Sequence, residues 1–255
     1  MQDFPVSAGS VPVVVLDTVG STNAEALARA NAGEAGPFWI VARQQSAGHG
    51  RRGRTWVSEP GNLYASLLLN DPAPPAVVPG ICFVAALALH DAILDTAHGL
   101  APAQLQLKWP NDLLLDGKKL GGILVEGSTR ADGRTTAVVG MGANCSHHPV
   151  LTEYPATDLT ASGYSVSAEA LFAAVGARMA TRLDEWKRGA NFASIRAAWL
   201  ARASGLGSAV EVRLGDRTIA GVFEAIDLAG ALVLRHRDGT HETVAAGDIF
   251  PLNPN

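Results

Sequence analysis

Between Lys108 and Glu126 the chain reads KWPNDLLLDGKKLGGILVE. Asp116-Gly117 stands between two apolar runs, Leu113–Leu115 and Leu120–Val125. That dipeptide takes the positive backbone angles that close a two-residue turn with the twist of antiparallel strands, so the segment is predicted to be a β-hairpin. Lys119 then begins the return strand, and Asn111 and Asp112 on the first arm face the residues that follow it. An ordinary hairpin with a solvated turn accounts for Asp116, Lys118 and Lys119. It does not account for Lys108-Trp109-Pro110-Asn111-Asp112, which gathers a cation, an aromatic ring, an amide and a carboxylate around a proline-fixed backbone. Nor does it account for Gly121-Gly122 inside a strand, where glycine marks close approach of a ligand or another backbone.

About fifty residues earlier, Gly48–Trp56 reads GHGRRGRTW. Gly48, Gly50 and Gly53 let the backbone pass close to a ligand. Arg51, Arg52 and Arg54 bring planar forks of donors suited to carboxylates and phosphates. A loop of this kind wraps a small anion or forms a solvated basic turn, and the second cluster favours the first reading. No Gly-Lys-Ser/Thr ending follows, so it is not a Walker loop.

Periodicity supplies the frame. Val11–Leu16, Phe38–Arg43 and Leu63–Leu69 read as strands, and Thr22-Asn23-Ala24-Glu25 reads as a capping box opening a helix to about Asn31. Asp71–Pro79 is a proline-rich loop, and Gly80–His98 is a helix apolar almost all round, hence buried. Gln104–Trp109, Asp112–Leu115, Lys118–Glu126 and Thr136–Asn144 complete one mixed sheet. Leu171, Phe172, Val175, Met179, Leu183 and Trp186 recur at helical spacing, with a second helix around Ala193–Arg202. Ser204–Ser208 is a boundary between residues 1–204 and 205–255. Beyond it, turns at Gly215-Asp216, Ala229-Gly230 and Asp238-Gly239 separate five short strands, the pattern of a small barrel. The class is α+β.

Composition excludes more than it specifies. The net charge is −4 over 255 residues, so no global field draws the chain to nucleic acid. Cys82 and Cys145 read as reduced thiols in a cytoplasmic protein. No signal peptide is visible, and the apolar run Ile81–Leu89 ends at His90-Asp91, too short to span a bilayer. His147-His148 lacks a third ligand at zinc-like spacing and reads as a surface turn.

The two clusters, in this order and spacing, resemble the biotin protein ligases. So do Ser21-Thr22-Asn23, Gln45, Asn62–Ser66 and Val139–Asn144, so the likeness covers nearly the whole chain. The resemblance implies a catalytic domain of the class II synthetase and biotin/lipoate-ligase type followed by the small barrel. It implies a two-step reaction with ATP, Mg²⁺ and biotin. Biotinyl-5′-AMP forms with release of pyrophosphate, and biotin passes to a lysine of a biotin carboxyl carrier protein or carboxylase domain. It places Ser21, Thr22, Asn23 and Gln45 at the ureido group and Gly48, His49 and Gly50 along the tail. Gly122 becomes slot wall, and Arg51 and Lys119 stand at the reacting carboxylate and α-phosphate. Arg52, Trp56, Lys108, Asn111 and Asn144 fall to the nucleotide, although a lone Trp56 is equally a core residue and a capping box already explains Thr22. Asp112 is a catalytic carboxylate that orients an amine or binds magnesium.

The family's usual loop has arginine where this chain has His49, which makes loop order pH-dependent. Lipoate or octanoate transfer is the alternative within the superfamily. Barely ten residues precede the first strand, which argues against the winged helix of DNA-binding members. Family members occur as monomers and as homodimers.

Overall fold

Alternation along Phe38-Trp39-Ile40-Val41 sets the architecture. Phe38 and Ile40 point to one side of a sheet, where they pack with Ala26, Leu68 and Val138, while Trp39 and Val41 point to the other side and join the larger core. A sheet apolar on both faces must be covered twice. In the computed structural model, which describes residues 3–5, 7–129, 134–150, 154–215 and 217–252, helices cover both faces.

The large sheet comprises β1 (Ser7–Ala8), β2 (Val11–Val19), β3 (Phe38–Gln45), β4 (Leu63–Asn70), β5 (Leu105–Lys108), β6 (Asp112–Leu115), β7 (Lys118–Thr129) and β8 (Thr135–Ala143). Their order is β1-β2-β3-β4-β8-β7-β6-β5. Only β2 and β3 pair in parallel among these neighbours, and helix α1 (Thr22–Asn31) makes the crossover between them. Helices α2 (Ile81–Thr96), α3 (Ala168–Trp186) and α4 (Phe192–Leu200) fill the opposite face.

The predicted strands and helices are all present, with ends shifted by a few residues. The proline-rich stretch predicted as loop includes a short 3₁₀ helix, Pro75–Gly80, that runs into α2. Together Pro75–Thr96 makes 22 residues, long and apolar enough by length and composition to cross a membrane, so the run is not too short as read from the sequence. Yet 72% of its most apolar window is buried inside the fold. Its apolarity is spent on packing, because α2 is enclosed between sheet, α3 and α4.

The hairpin forms as predicted. Asp116 and Gly117 hold φ of 48° and 74°, and β6 pairs with β7 so that Asp112 faces Gly122.

The C-terminal strands β9 (Ala209–Arg213), β10 (Thr218–Ile226), β11 (Leu232–Arg235), β12 (His241–Val244) and β13 (Asp248–Pro251) form an antiparallel sheet ordered β12-β11-β10-β9-β13. Closure into a barrel is not seen among the described strand pairs; the order ends at β12 and β13. Asp216 of the predicted Gly215-Asp216 turn lies outside the described residues. This sheet is fastened to the rest. Trp109 Nε1 donates to the Gly230 carbonyl at 3.1 Å, and Arg196 donates to the Ile226 carbonyl at 2.7 Å.

Candidate active site

The α1 face of the sheet changes character along β8. Val138 packs under the helix, but the next two residues on that face are Gly140 and Gly142. A Cβ at Gly140 would stand 2.3 Å from Asn23 Oδ1, and one at Gly142 would stand 2.8 Å from the Trp56 ring. The glycines thus admit an amide and an indole where other residues would fill the space. Gly122, paired with Gly142, continues this floor. Above it lies a cavity of about 380 Å³, within the range of small-molecule sites.

One end of the cavity is a buried polar network. Ser21 caps α1 by accepting from the Ala24 amide. The predicted capping box of Thr22 and Glu25 does not form: with Ser21 as the cap the third helical residue is Ala24, Glu25 pairs with Arg29, and Thr22 is free for other work. The Thr22 amide and hydroxyl donate to Gln45 Oε1 at 2.8 and 3.1 Å. Gln45 Nε2 donates to the Ser58 hydroxyl. The Ser66 hydroxyl lies 2.8 Å from Thr22 Oγ1 and 2.5 Å from Asn23 Oδ1, and Asn23 Nδ2 donates to the Glu126 carboxylate at 2.7 Å. Such a network holds each donor and acceptor in one orientation.

The opposite end carries charge. Lys119 Nζ sits 2.7 Å from Asp112 Oδ1, the pair created by the hairpin register. Arg51 donates to Asn111 Oδ1 at 3.2 Å and to the Gly247 carbonyl at 3.3 Å. Asn111 donates in turn to the Ile123 carbonyl. Asn144 lies on the wall with its amide anchored to the Thr157 carbonyl at 3.0 Å. Trp56 is half-buried on the wall, with Lys119 Nζ 5.5 Å from its ring. Among the described residues its buried indole N–H has no partner.

Gathered on the cavity wall are Ser21, Thr22, Asn23, Gln45, His49, Gly50, Arg51, Trp56, Asn111, Asp112, Lys119, Gly122 and Asn144. Three other predicted positions stand apart from it. Gly48 lies behind the wall, where a Cβ would meet Ser58 Oγ at 2.5 Å. Arg52 is exposed and reaches toward Asp248 at 3.6 Å. Lys108 lines an adjoining groove of about 320 Å³ between the hairpin and the C-terminal sheet. There its ammonium lies 3.6 Å over the Tyr154 ring, and burial pushes it down to about 8 against the pull of Asp112. His49, the departure in the loop, places Nε2 3.5 Å from Glu126.

Sequence reasoning missed Tyr154 and Asp248. Both line the cavity, and Asp248 comes from β13, far along the chain. Burial raises its carboxyl, but the hydrogen bond from Arg54 and the charges of Arg54, Arg51 and Arg52 outweigh that and hold it below its ordinary value. No local pattern around Asp248 marks it. Other tempting groups are inert: burial pushes the Cys145 thiol up to about 12, and His148 pairs with Asp158 at 2.5 Å. Among the described residues no cluster of three or more His, Cys, Asp or Glu side chains stands ready to hold a metal ion.

A mixed sheet with a glycine-floored cavity, a polar end, a cationic end and an appended antiparallel sheet defines the biotin/lipoate ligase class. Residues 19–144 match the biotin/lipoate A/B protein ligase family, and residues 205–250 match the biotin protein ligase C-terminal domain. The chain is 41% identical to the biotin–[acetyl-CoA-carboxylase] ligase of Paracoccus denitrificans, over 92% of this chain and 99% of that one. It is 30% identical to the bifunctional ligase/repressor BirA of Escherichia coli, over 93% of this chain and 73% of that one. The biotin protein ligase of Aquifex aeolicus, solved in complex with biotin and ATP, has the same fold with a TM-score of 0.76 at 24% identity, covering 93% of this chain and 97% of that one. The chain belongs to the biotin protein ligase family.

Proposed function

We propose that this chain joins biotin to ATP and passes it to a carrier lysine, with the residue roles as follows. The observation that carries the reading is the convergence of Arg51 and Lys119 at one end of a cavity whose other end is the Thr22–Gln45–Asn23 network. Biotin is a bicyclic ureido head on an apolar tail ending in a carboxylate. Its head suits the polar end, its tail the glycine floor, and its carboxylate the cationic end.

The biotin carboxylate and the ATP phosphates repel each other, so cations must be in place before the carboxylate oxygen attacks the α-phosphorus and pyrophosphate leaves. Arg51 and Lys119 serve that need, and Asp112 fixes the Lys119 ammonium by its 2.7 Å contact. In the second step an acceptor amine attacks the acyl carbon, AMP leaves with the bond electrons, and Asp112 takes the amine proton. Asn144, Asn111 and Trp56 serve the nucleotide. Asp112, on the cavity wall, is the carboxylate that would help hold magnesium brought by ATP. Bound there, it would neutralise polyphosphate charge.

The acceptor is a biotin carboxyl carrier protein or carboxylase domain, met in the cytoplasm. Residues 1–204 carry the chemistry, and residues 205–255 form a second domain that completes the cationic end.

The test is pyrophosphate release from ATP and Mg²⁺ with biotin, lipoate or octanoate supplied in turn. Release with biotin alone is expected, and Lys119→Ala should slow it roughly 10²–10³-fold while calorimetric biotin binding persists. Release with lipoate or octanoate instead would overturn the reading.

A further inference from the structure

Three guanidinium groups from one loop converge on one carboxylate from the other end of the chain. Asp248 accepts from Arg54 through both oxygens, Nη1–Oδ1 at 3.3 Å. Arg52 Nη1 lies 3.6 Å away and Arg51 Nη1 4.0 Å away. The Asp248 side chain is 16% exposed, and both Asp248 and Arg51 border the cavity. Arg51 is held on the same side by the Gly247 carbonyl. Like charges brought this close repel unless an anion stands among them. A carboxylate meeting several arginine forks is also the arrangement that a phosphate would complete.

We propose that Asp248 is a built-in counter-anion that occupies the arginine cluster of the Gly48–Arg54 loop, and that the polyphosphate of the nucleotide must displace it to bind. The proposal rests on the ligase reading for the identity of the incoming anion. A triphosphate offers more oxygens and more charge than one carboxylate, so it wins the exchange, but the affinity observed is what remains after the Asp248 contacts are lost. The C-terminal sheet thereby sets nucleotide affinity through one residue. Before nucleotide arrives, the same contact keeps Arg51 and Arg54 at the cavity wall. Asp248 is a positioning residue in this scheme, acting on substrate through the arginines.

The experiment compares wild type with Asp248→Asn, which keeps shape and removes charge, and with Asp248→Glu, which keeps charge. Two quantities are read: calorimetric binding of inorganic tripolyphosphate, and the KM for ATP against the KM for biotin in pyrophosphate release. Removing one partly exposed ion-pair competitor should tighten tripolyphosphate binding about fivefold. The KM for ATP should fall by a similar factor, more than that for biotin, while Asp248→Glu stays near wild type. Unchanged or weaker tripolyphosphate binding by folded Asp248→Asn would overturn the proposal, since Asp248 would then only organise the arginines. If Asp248→Asn does not fold, Asp248→Ser is read by the same criterion. Failure of the ligase reading shows separately, as absence of biotin-dependent pyrophosphate release in wild type, and leaves the tripolyphosphate comparison to decide the counter-anion role.

Discussion

At the residue scale, the most unusual environment belongs to Lys108. It is 8% exposed, and its ammonium rests on Tyr154 with Phe250 beyond. Burial lowers it to about 8 from 10.5. Between those two pH values the unfolded chain holds a proton that the folded protein has released, so wild-type stability rises with pH through that window. Below pH 8 the buried charge costs stability. Lys108→Met should therefore melt higher than wild type at pH 7, by the equivalent of about 1–3 kcal/mol, and the advantage should fade toward pH 10. Thermal melts at pH 7, 9 and 10 check this; a constant difference would contradict it. Lys119 differs in having a direct carboxylate partner and a place on the open cavity wall, which suits the same residue type to the chemistry proposed for it. The two lysines were both legible as cations near a hairpin. Their different surroundings depend on Tyr154 and Phe250, which lie far away in sequence.

At the element scale, β8 and α1 make the site by omission. A methyl group at position 140 would overlap Asn23 Oδ1 at 2.3 Å, so Gly140→Ala must push the helix start off the sheet. The expected cost is about 1–3 kcal/mol of stability and a weaker biotin Kd, read by melting and calorimetry; unchanged biotin affinity would separate the glycine floor from the site. On the other face, Asp91 of α2 ties three helices together. It accepts from Arg182 of α3 and meets Arg202 beyond α4, with His90 beside it. Burial opposes its charge, but His90, Arg182 and Arg202 bring its carboxyl down to about 2. A lowered carboxyl contributes stability above its unfolded value of 3.8, and that contribution is lost as pH falls toward 2. Asp91→Asn should lose about 3 kcal/mol at pH 7, and its deficit should narrow between pH 4 and pH 2 in acid melts. These elements were readable from periodicity alone, since strands alternate and helices recur. Which residue caps α1 was not, because Ser21 and Thr22 both satisfy the local rule. The contact from Thr22 to Gln45 decides between them.

At the scale of the molecule, the C-terminal sheet is part of the site and part of the core. Gly230 approaches Phe83 so closely that a Cβ would stand 2.8 Å from the ring, and its carbonyl holds Trp109. Gly247 and Asp248 hold Arg51. Removing the chain from Gly205 onward should therefore abolish pyrophosphate release and carrier biotinylation together, with a lower melting temperature. Loss of transfer alone would mean that the sheet only docks the acceptor. The sequence by itself determined the strand and helix periods, the Asp116-Gly117 turn and hence that Asp112 faces the residues after Lys119, because these follow from residues near one another in the chain; the contact of Asp112 with Lys119 itself came with the bulged register of the folded hairpin. It also carried the motifs by which the family resemblance was read. Tertiary structure alone decided that Gly140 and Gly142 floor a cavity, that Lys108 faces a neighbouring groove, and that Asp248 stands among the loop arginines. Those facts depend on which distant surfaces pack together, and the free energy of that packing is spread over a core that no short stretch of sequence contains.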